Sequence, residues 1–451
     1  MKTRVILVRH GQSTYNVKKL IQVQLDASVL TDLGIEQAKK VGQTLDGISF
    51  DYVYASPLKR AYKTAETIVE VLRTSRPETP LPEATDIIKE IDLPLWEGLS
   101  FEEVQQQYPE MHQVWRNDPP NLNMPLADGT EFYPIRSLYT RATQFWQSTL
   151  PKHSGQTILI VGHSAINRAL VAIALGRGMA IHNQLGQANC AISILNFTGG
   201  LEDGVQLESM NLTTHMGEPL PEMRASYRGP RVLLVRHGET EWNRQKRFQG
   251  QIDIPLNENG KRQGGQAAEF LKDVKIDAAV SSSLSRPKET AEIILQHHPE
   301  ITLATTDGLK EIGHGEWEGL YEQEIETNYP GMLKQWQEQP ETVQMPGDGG
   351  ESLEQVWERA IAAWNEIVAK YSGTDTPVTV LVSAHDAVNK AILCHVVGLG
   401  PDAFWNFKQG NGAVSVIDYP NGVESRPVLT AANITVHLSG SIFDKTAAGA
   451  L

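Results

Sequence analysis

Apolar positions in this chain gather into short unbroken runs that stop abruptly at charged residues, and the pattern is written twice. Ile6, Leu7 and Val8 run into Arg9, His10 and Gly11, and the stretch RVLLV runs into Arg236, His237 and Gly238. A continuous apolar run of this length predicts a strand covered on both faces by helices. Leu30 and Thr31 read as a helix start, Gly34 to Leu45 as an amphipathic helix, and Leu256 to Leu271 as its counterpart. Next come YVYASPLKRAYKTAETI and AAVSSSLSRPKETAEII. In each a strand ends at Ser56 or Ser282, and Arg60 or Arg286 opens the following helix. Stretches from about 100 to 134 and 321 to 350, rich in Gln, Trp, Pro and Asn, predict lids or substrate loops. A further helix leads to ILIVGH and VTVLVSAH, strands ending at His163 and His385. Each unit closes with a helix and a strand, near Phe197 and Asp418.

Anchors in the two halves keep nearly constant separations. His10 and His237 are 227 apart, Arg60 and Arg286 226, Glu90 and Glu311 221, and His163 and His385 222. A period this long means a duplicated domain and not a solenoid, and the drift places indels in loops. The expected architecture is α/β: two tandem three-layer α/β/α domains, each a mostly parallel sheet with helices on both faces. The expected bounds are residues 1–200 and 230–437, with a Gly-, Pro- and Met-rich linker at 201–229 and a small-residue, flexible tail at 438–451.

At 451 residues and 40% hydrophobic content the chain can fill two full cores. Forty Lys plus Arg against 54 Asp plus Glu leave a formal charge of −14, which argues against nucleic acid or an anionic membrane as partner. An anionic ligand must therefore be held by a local cationic pocket. Cys190 and Cys394, one per half, suit a reducing compartment without disulfides or a metal cluster. No apolar span has membrane length, and the first strand begins at residue three, leaving no room for a targeting peptide, so a cytoplasmic protein is expected. On that reading the Asn-x-Thr triplets at Asn196, Asn211 and Asn433 are chance.

Each half thus supplies, from separate strand ends, two His, two Arg and one Glu. The order RHG, then SxLxR followed by TAE, then a Glu ahead of WEG, then a late strand ending in His resembles the histidine phosphatase (phosphoglycerate mutase-like) superfamily, twice over nearly the whole chain. The resemblance implies phosphomonoester hydrolysis through a phosphohistidine on small phosphorylated metabolites, a sugar or sugar-acid phosphate, with no metal or other cofactor. His10 and His237 match the nucleophiles, and Glu90 and Glu311 the acids. Arg9, Arg60 and His163 match phosphate ligands in the first half, and Arg236, Arg286 and His385 in the second. Asn16 and Asn243 match an amide that supports the phosphate. The residue types suit the chemistry, because charge in phosphoryl transfer spreads over three equatorial oxygens and guanidinium forks fit them.

Three departures mark the halves. The substrate loop DGGES at 348–352 becomes DGTEF at 128–132, followed by Tyr133 and Arg136; Pro94 stands where the second half has Gly315; and Asp386 follows the late His where the family carries a small residue. Asp386 either raises the pKa of the imidazole or points away. His314, beside the acid motif, is open between pocket wall and core, whereas Trp96 and Trp317 read as packing anchors. Two rival functions remain: a mutase of the phosphoglycerate type, and one catalytic domain regulated by a metabolite-binding neighbour.

Overall fold

A computed structural model of the chain describes residues 2–374 and 376–447. Two compact units emerge, one of residues up to Leu207 together with Asn211–Glu218, the other of Glu208–Met210 and the residues from Pro219 onward. The first contains strands β1 (Thr3–Arg9), β2 (Tyr52–Ala55), β3 (Glu83–Ala84), β4 (Thr157–Gly162), β5 (Ile192–Phe197) and both ends of β6 (Val205–Leu212), whose middle, Glu208–Met210, is grouped with the second. Its helices are α1 (Thr14–Lys18), α2 (Asp32–Thr44), α3 (Lys59–Ser75), α4 (Phe101–Gln107), α5 (Pro109–Asn117), α6 (Pro134–Thr149) and α7 (Ser164–Ala174). The second contains β7 (Arg231–Arg236), β8 (Ala278–Ser282), β9 (Leu303–Thr306), β10 (Thr379–Ala384), β11 (Val414–Asp418), β12 (Pro420–Val423) and β13 (Val428–Ile434). Its helices are α8 (Glu241–Gln245), α9 (Glu258–Leu271), α10 (Ser285–Ile294), α11 (Glu322–Asn328), α12 (Met332–Glu338), α13 (Leu353–Lys370), α14 (Asp386–Val396) and α15 (Val436–Ser439).

Strand order is β3-β2-β4-β1-β5-β6 in the first unit and β9-β8-β10-β7-β11-β13 in the second. β1 runs parallel to β4 from Arg4 opposite Thr157 to Arg9 opposite Gly162, and β7 repeats this on β10 from Arg231 opposite Thr379 to Arg236 opposite Ala384. β5 and β11 pair antiparallel on the other edges of β1 and β7. Because successive strand side chains face opposite ways, an unbroken buried run means both faces are covered. Val5 to Val8 and Ile158 to Val161 are all at most 1% exposed. Each such side chain contributes roughly 1.5–3 kcal/mol of burial. The covering helices pack in pairs, α2 on α3 and α6 on α7, then α9 on α10 and α13 on α14.

Several expectations need correction. The stretch read as a linker from residue 201 contains β6, with Val205, Leu207, Met210 and Leu212 buried. Its period-two pattern is hidden because Glu208 and Ser209 are buried too. Between β6 and β7 the chain is irregular apart from short turns at Thr214–Met216 and 224–227. Of the expected tail, residues 448–451 lie outside the described residues, but 438–447 are tied down at two points. Ile442 is 4% exposed, and the Thr446 hydroxyl accepts from the Asn411 backbone at 3.1 Å. The expected substrate loops hold helix pairs, α4 with α5 and α11 with α12, the second anchored by the buried Trp336.

The asparagines of the triplets at 211 and 433 have a structural role in the fold. Both asparagines are buried at left-handed φ, 56° and 53°, and their side-chain oxygens accept from Ala188 N and Gly410 N, each at 2.7 Å. Asn is the side chain that enters this conformation most readily after Gly, and here it caps a loop in each half.

Candidate active site

Parallel pairing brings the carboxyl ends of β1, β4 and β2 side by side, and those of β7, β10 and β8 likewise, which is where open α/β sheets bind ligands. Arg9 ends β1 with His10 following, His163 follows β4, and Ser56 follows β2. The rings of His10 and His163 stand edge to face with centroids 5.2 Å apart, and those of His237 and His385 do the same at 5.2 Å.

His10 is 1% exposed, and its Nδ1 lies 2.7 Å from its neighbour's carbonyl, Gly11 O; in the second half His237 Nδ1 lies 2.7 Å from Gly238 O. A carbonyl only accepts, so the proton sits on Nδ1 and the Nε2 lone pair is exposed. The surrounding peptide is held from several sides. Gly11 N donates to Thr64 Oγ1 at 3.1 Å and Asn189 Nδ2 to His10 O at 2.9 Å, mirrored by Gly238 N to Thr290 at 3.0 Å and Asn411 to His237 O at 3.2 Å. A side chain on Gly11 would strike the backbone of Gly34 at the start of α2, and one on Gly238 the backbone of Gly260. Glycine is required there for close approach.

Arg60 and Arg286 are fully buried in the first turn of their helices. Arg60 donates to Val23 O at 2.7 Å, and Arg286 to Gly250 O at 2.7 Å and Ile252 O at 3.1 Å. Among the described residues Arg60 Nε and Nη1 have no hydrogen-bond partner. Burial pulls the Arg286 guanidinium down to about 10, against the pull of Glu311. The loop supplying those carbonyls is pinned by the Glu of WEG. Glu97 accepts from Val23 N, Gln24 N and Leu25 N, and Glu318 from Gln251 N and Ile252 N. At these helix starts Asp26 accepts from Lys59 N and Asp253 from Ser285 N, each at 2.8 Å.

Burial first, then the neighbouring arginines, hold His10, His163, His237 and His385 well below the usual imidazole value. All four are therefore neutral beside the arginines alone, and a dianion in the cage would counter the second cause. His163 and His385 each bond a serine hydroxyl through Nε2, Ser56 at 2.7 Å and Ser282 at 2.9 Å, and their Nδ1 atoms have no partner among the described residues.

Glu90 and Glu311, 6% and 5% exposed, lie at the N-termini of α7 and α14. Glu90 accepts from Ile91, Ala165 and Ile166 backbone N–H groups, and Glu311 from Ile312, Asp386 and Ala387. Such donors favour the ionised carboxyl. For Glu311 burial prevails, helped by the Asp386 charge, and its pKa is raised despite Arg286. Asp386 neither points away nor touches the imidazole. Its carboxylate is 3.2 Å from Arg236 Nη1 and 2.7 Å from Lys390 Nζ, all three buried.

The structure therefore gathers every expected residue into the same region of its half. Asn16 and Asn243 use their side-chain oxygens otherwise, closing capping boxes on Ser13 and Thr240 and accepting from Asn189 and Asn411. His314 is core: unexposed, it packs against Phe248 and Trp336 with ring centroids 5.1 and 6.1 Å away, and burial lowers it to about 3. Trp96 and Trp317 are fully buried anchors, as expected.

Sequence reasoning missed the clamps on the acid. Arg141 donates to the carbonyls of Ile87, Lys89 and Glu90, and Arg359 to those of Gly308, Lys310 and Glu311. Gln24 and Gln251 reach the same Glu90 and Glu311 carbonyls at 3.0 and 3.1 Å. Arg359 also forks onto Glu351 of the substrate loop, at 2.7 Å through both Nε and Nη2. These pairs recur at the repeat offset, 218 for the arginines and 227 for the glutamines, so a residue-by-residue comparison of the halves carries their signal.

The model of the family "Histidine phosphatase superfamily (branch 1)" matches residues 5–213 and 232–433. The chain is similar to 2-carboxy-D-arabinitol-1-phosphatase of Triticum aestivum, 31% identical over 441 residues that span 96% of this chain and 86% of that protein. It is also similar to phosphoserine phosphatase 1 of Hydrogenobacter thermophilus, 34% identical over 46% of this chain and 94% of that one. Among solved structures, the mycobacterial glucosyl-3-phosphoglycerate phosphatase aligns with a TM-score of 0.41 at 29% identity, covering 46% of this chain and all of that one.

Proposed function

Because the chain belongs to the histidine phosphatase superfamily, we propose that each half hydrolyses small phosphomonoesters through its own phosphohistidine. The observation that carries the reading is the 2.7 Å Nδ1-to-glycine-carbonyl bond in both halves, which aims a neutral Nε2 lone pair into a cage of guanidinium groups. In the first half Nε2 of His10 attacks phosphorus while Arg9, Arg60 and His163 hold the equatorial oxygens. The P–O ester bond breaks and Glu90 protonates the leaving alkoxide. A water then attacks the phosphohistidine, Glu90 takes its proton, and orthophosphate leaves as Nε2 is restored. In the second half His237, Arg236, Arg286, His385 and Glu311 take these roles. Asn16 and Asn243 order the nucleophile loop through their side-chain oxygens.

The likeness to the wheat enzyme along both halves favours a sugar-acid phosphate such as 2-carboxy-D-arabinitol 1-phosphate as substrate. The two buried thiols suit a cytoplasmic setting. The test is rapid quenching in alkaline denaturant during turnover of that ester. Acid-labile, base-stable phosphate should remain on the chain in the wild type and in His10→Ala or His237→Ala alone, and vanish in the double variant. Phosphate retained by the double variant overturns the mechanism. Loss of all turnover in either single variant overturns the independence of the halves, and isomerised 3-phosphoglycerate without free phosphate would make the protein a mutase.

A further inference from the structure

The halves share their nucleophile, arginines and acid but differ one residue beyond the late histidine, Ser164 in the first and Asp386 in the second. Asp386 is 2% exposed and joins parts that the first half leaves separate. Its backbone N–H donates to Glu311 Oε2 at 3.0 Å, and its carboxylate lies 3.2 Å from Arg236 Nη1. Its other oxygen meets Lys390, one turn along α14, at 2.7 Å. Lys390 is itself 5% exposed, with its ammonium over the rings of Phe404 and Trp405 at 4.9 and 4.5 Å. A buried carboxylate so placed draws on the charge of a phosphate-binding arginine and repels ionisation of the neighbouring acid. Arg168 stands on α7 where Lys390 stands on α14, and Ser164 stands where Asp386 does.

We propose that Asp386 is a positioning residue that sets the halves apart in working range: the second half keeps its turnover to higher pH than the first and binds the phosphate group less tightly. The inference rests on the phosphohistidine reading above. Glu311 is faced by Arg236 from β7, Arg286 from α10, Arg359 from α13 with Glu351 behind it, and His385 and Asp386 at the start of α14. Of these groups Asp386 is the carboxylate that meets both Arg236 and Glu311 directly, and serine takes its position in the first half. Burial and then Asp386 are the causes that raise Glu311, in accord with the geometry.

The experiment uses the full chain with one site silenced and follows phosphate release from 2-carboxy-D-arabinitol 1-phosphate, an alkyl ester whose leaving group needs the acid. With His10→Ala as parent, Asp386→Ser should move the high-pH limb of kcat down by about one unit, a roughly tenfold loss above the limb, and lower KM. With His237→Ala as parent, Ser164→Asp should move the limb of the first half up by a similar amount, a gain that misfolding does not imitate. A limb unmoved by Ser164→Asp, or moved downward, overturns the proposal whether or not Asp386→Ser folds; so does an unmoved limb in a folded Asp386→Ser protein. No phosphate release from either parent, with both folded, overturns the phosphohistidine reading instead.

Discussion

Removing Arg359 tests whether the acid is placed by its backbone. The side chain makes five hydrogen bonds, three to the carbonyls of Gly308, Lys310 and Glu311 and two to the carboxylate of Glu351. Hydrogen bonds to charged groups contribute about 1.5–3 kcal/mol each but do not add. Breaking a buried ion pair costs about 3–5 kcal/mol. The two side chains are 23% and 18% exposed, so the low end applies, and Arg359→Ala should destabilise the second unit by about 3 kcal/mol. Glu351 would lose the partner that counters burial and holds its carboxyl below the ordinary value. With the Glu311 carbonyl left to Gln251 alone, displacement of the acid by about 1 Å predicts a loss of about 10²-fold in kcat. Phosphate release in the His10→Ala parent measures kcat, and denaturant titration measures stability. Glu351→Gln removes the charge pair but leaves the carbonyls held, so it should cost stability and less than about tenfold in kcat. The reasoning is refuted if Arg359→Ala leaves kcat within about threefold of its parent, or if Glu351→Gln is as damaging as Arg359→Ala.

In the first half Arg141 holds three carbonyls with no carboxylate bonded to it in the manner of Glu351, so Arg141→Ala in the His237→Ala parent should lower kcat comparably while costing about 1–2 kcal/mol of stability by denaturant titration. Burial lowers His182 and His314 to about 3 and His215 and His437 to about 4. The unfolded chain therefore binds the extra protons. Their contribution is complete above about pH 6.5 and falls as pH drops toward 4, by up to about 1.4 kcal/mol per unit for each group. His314→Phe, read by melting temperature against pH, should flatten that acid limb. A chain ending at Ser441 loses the Thr446 acceptor of the Asn411 loop. It should reduce turnover in the His10→Ala parent by about tenfold or more while the His237→Ala parent is unaffected.

Much of the site is legible in the sequence because strand ends and helix starts are local signals. An apolar run meeting Arg9 and His10, or ILIVG meeting His163, marks both the element and the place where chemistry sits. Residues acting through long-range geometry are not legible that way. Arg141 lies on an amphipathic helix, where an arginine ordinarily faces solvent, and only the folded chain shows it reaching carbonyls some fifty positions earlier. β6 was hidden because its middle residues are polar and buried, which period-two patterning reads as surface. Asn211 and Asn433 carried a signal, recurrence at the repeat offset, masked by an unrelated sequence code.

Gly11 and Gly34, with Gly238 and Gly260 in the other half, bring the start of a helix against the nucleophile's own peptide with no side chain between them. Contact of that kind has no cushion. A slight advance of α2 or α9 along its axis would press directly on the peptide that carries the imidazole, so the thirteen- and fourteen-residue helices are placed to act as levers on the proposed nucleophile.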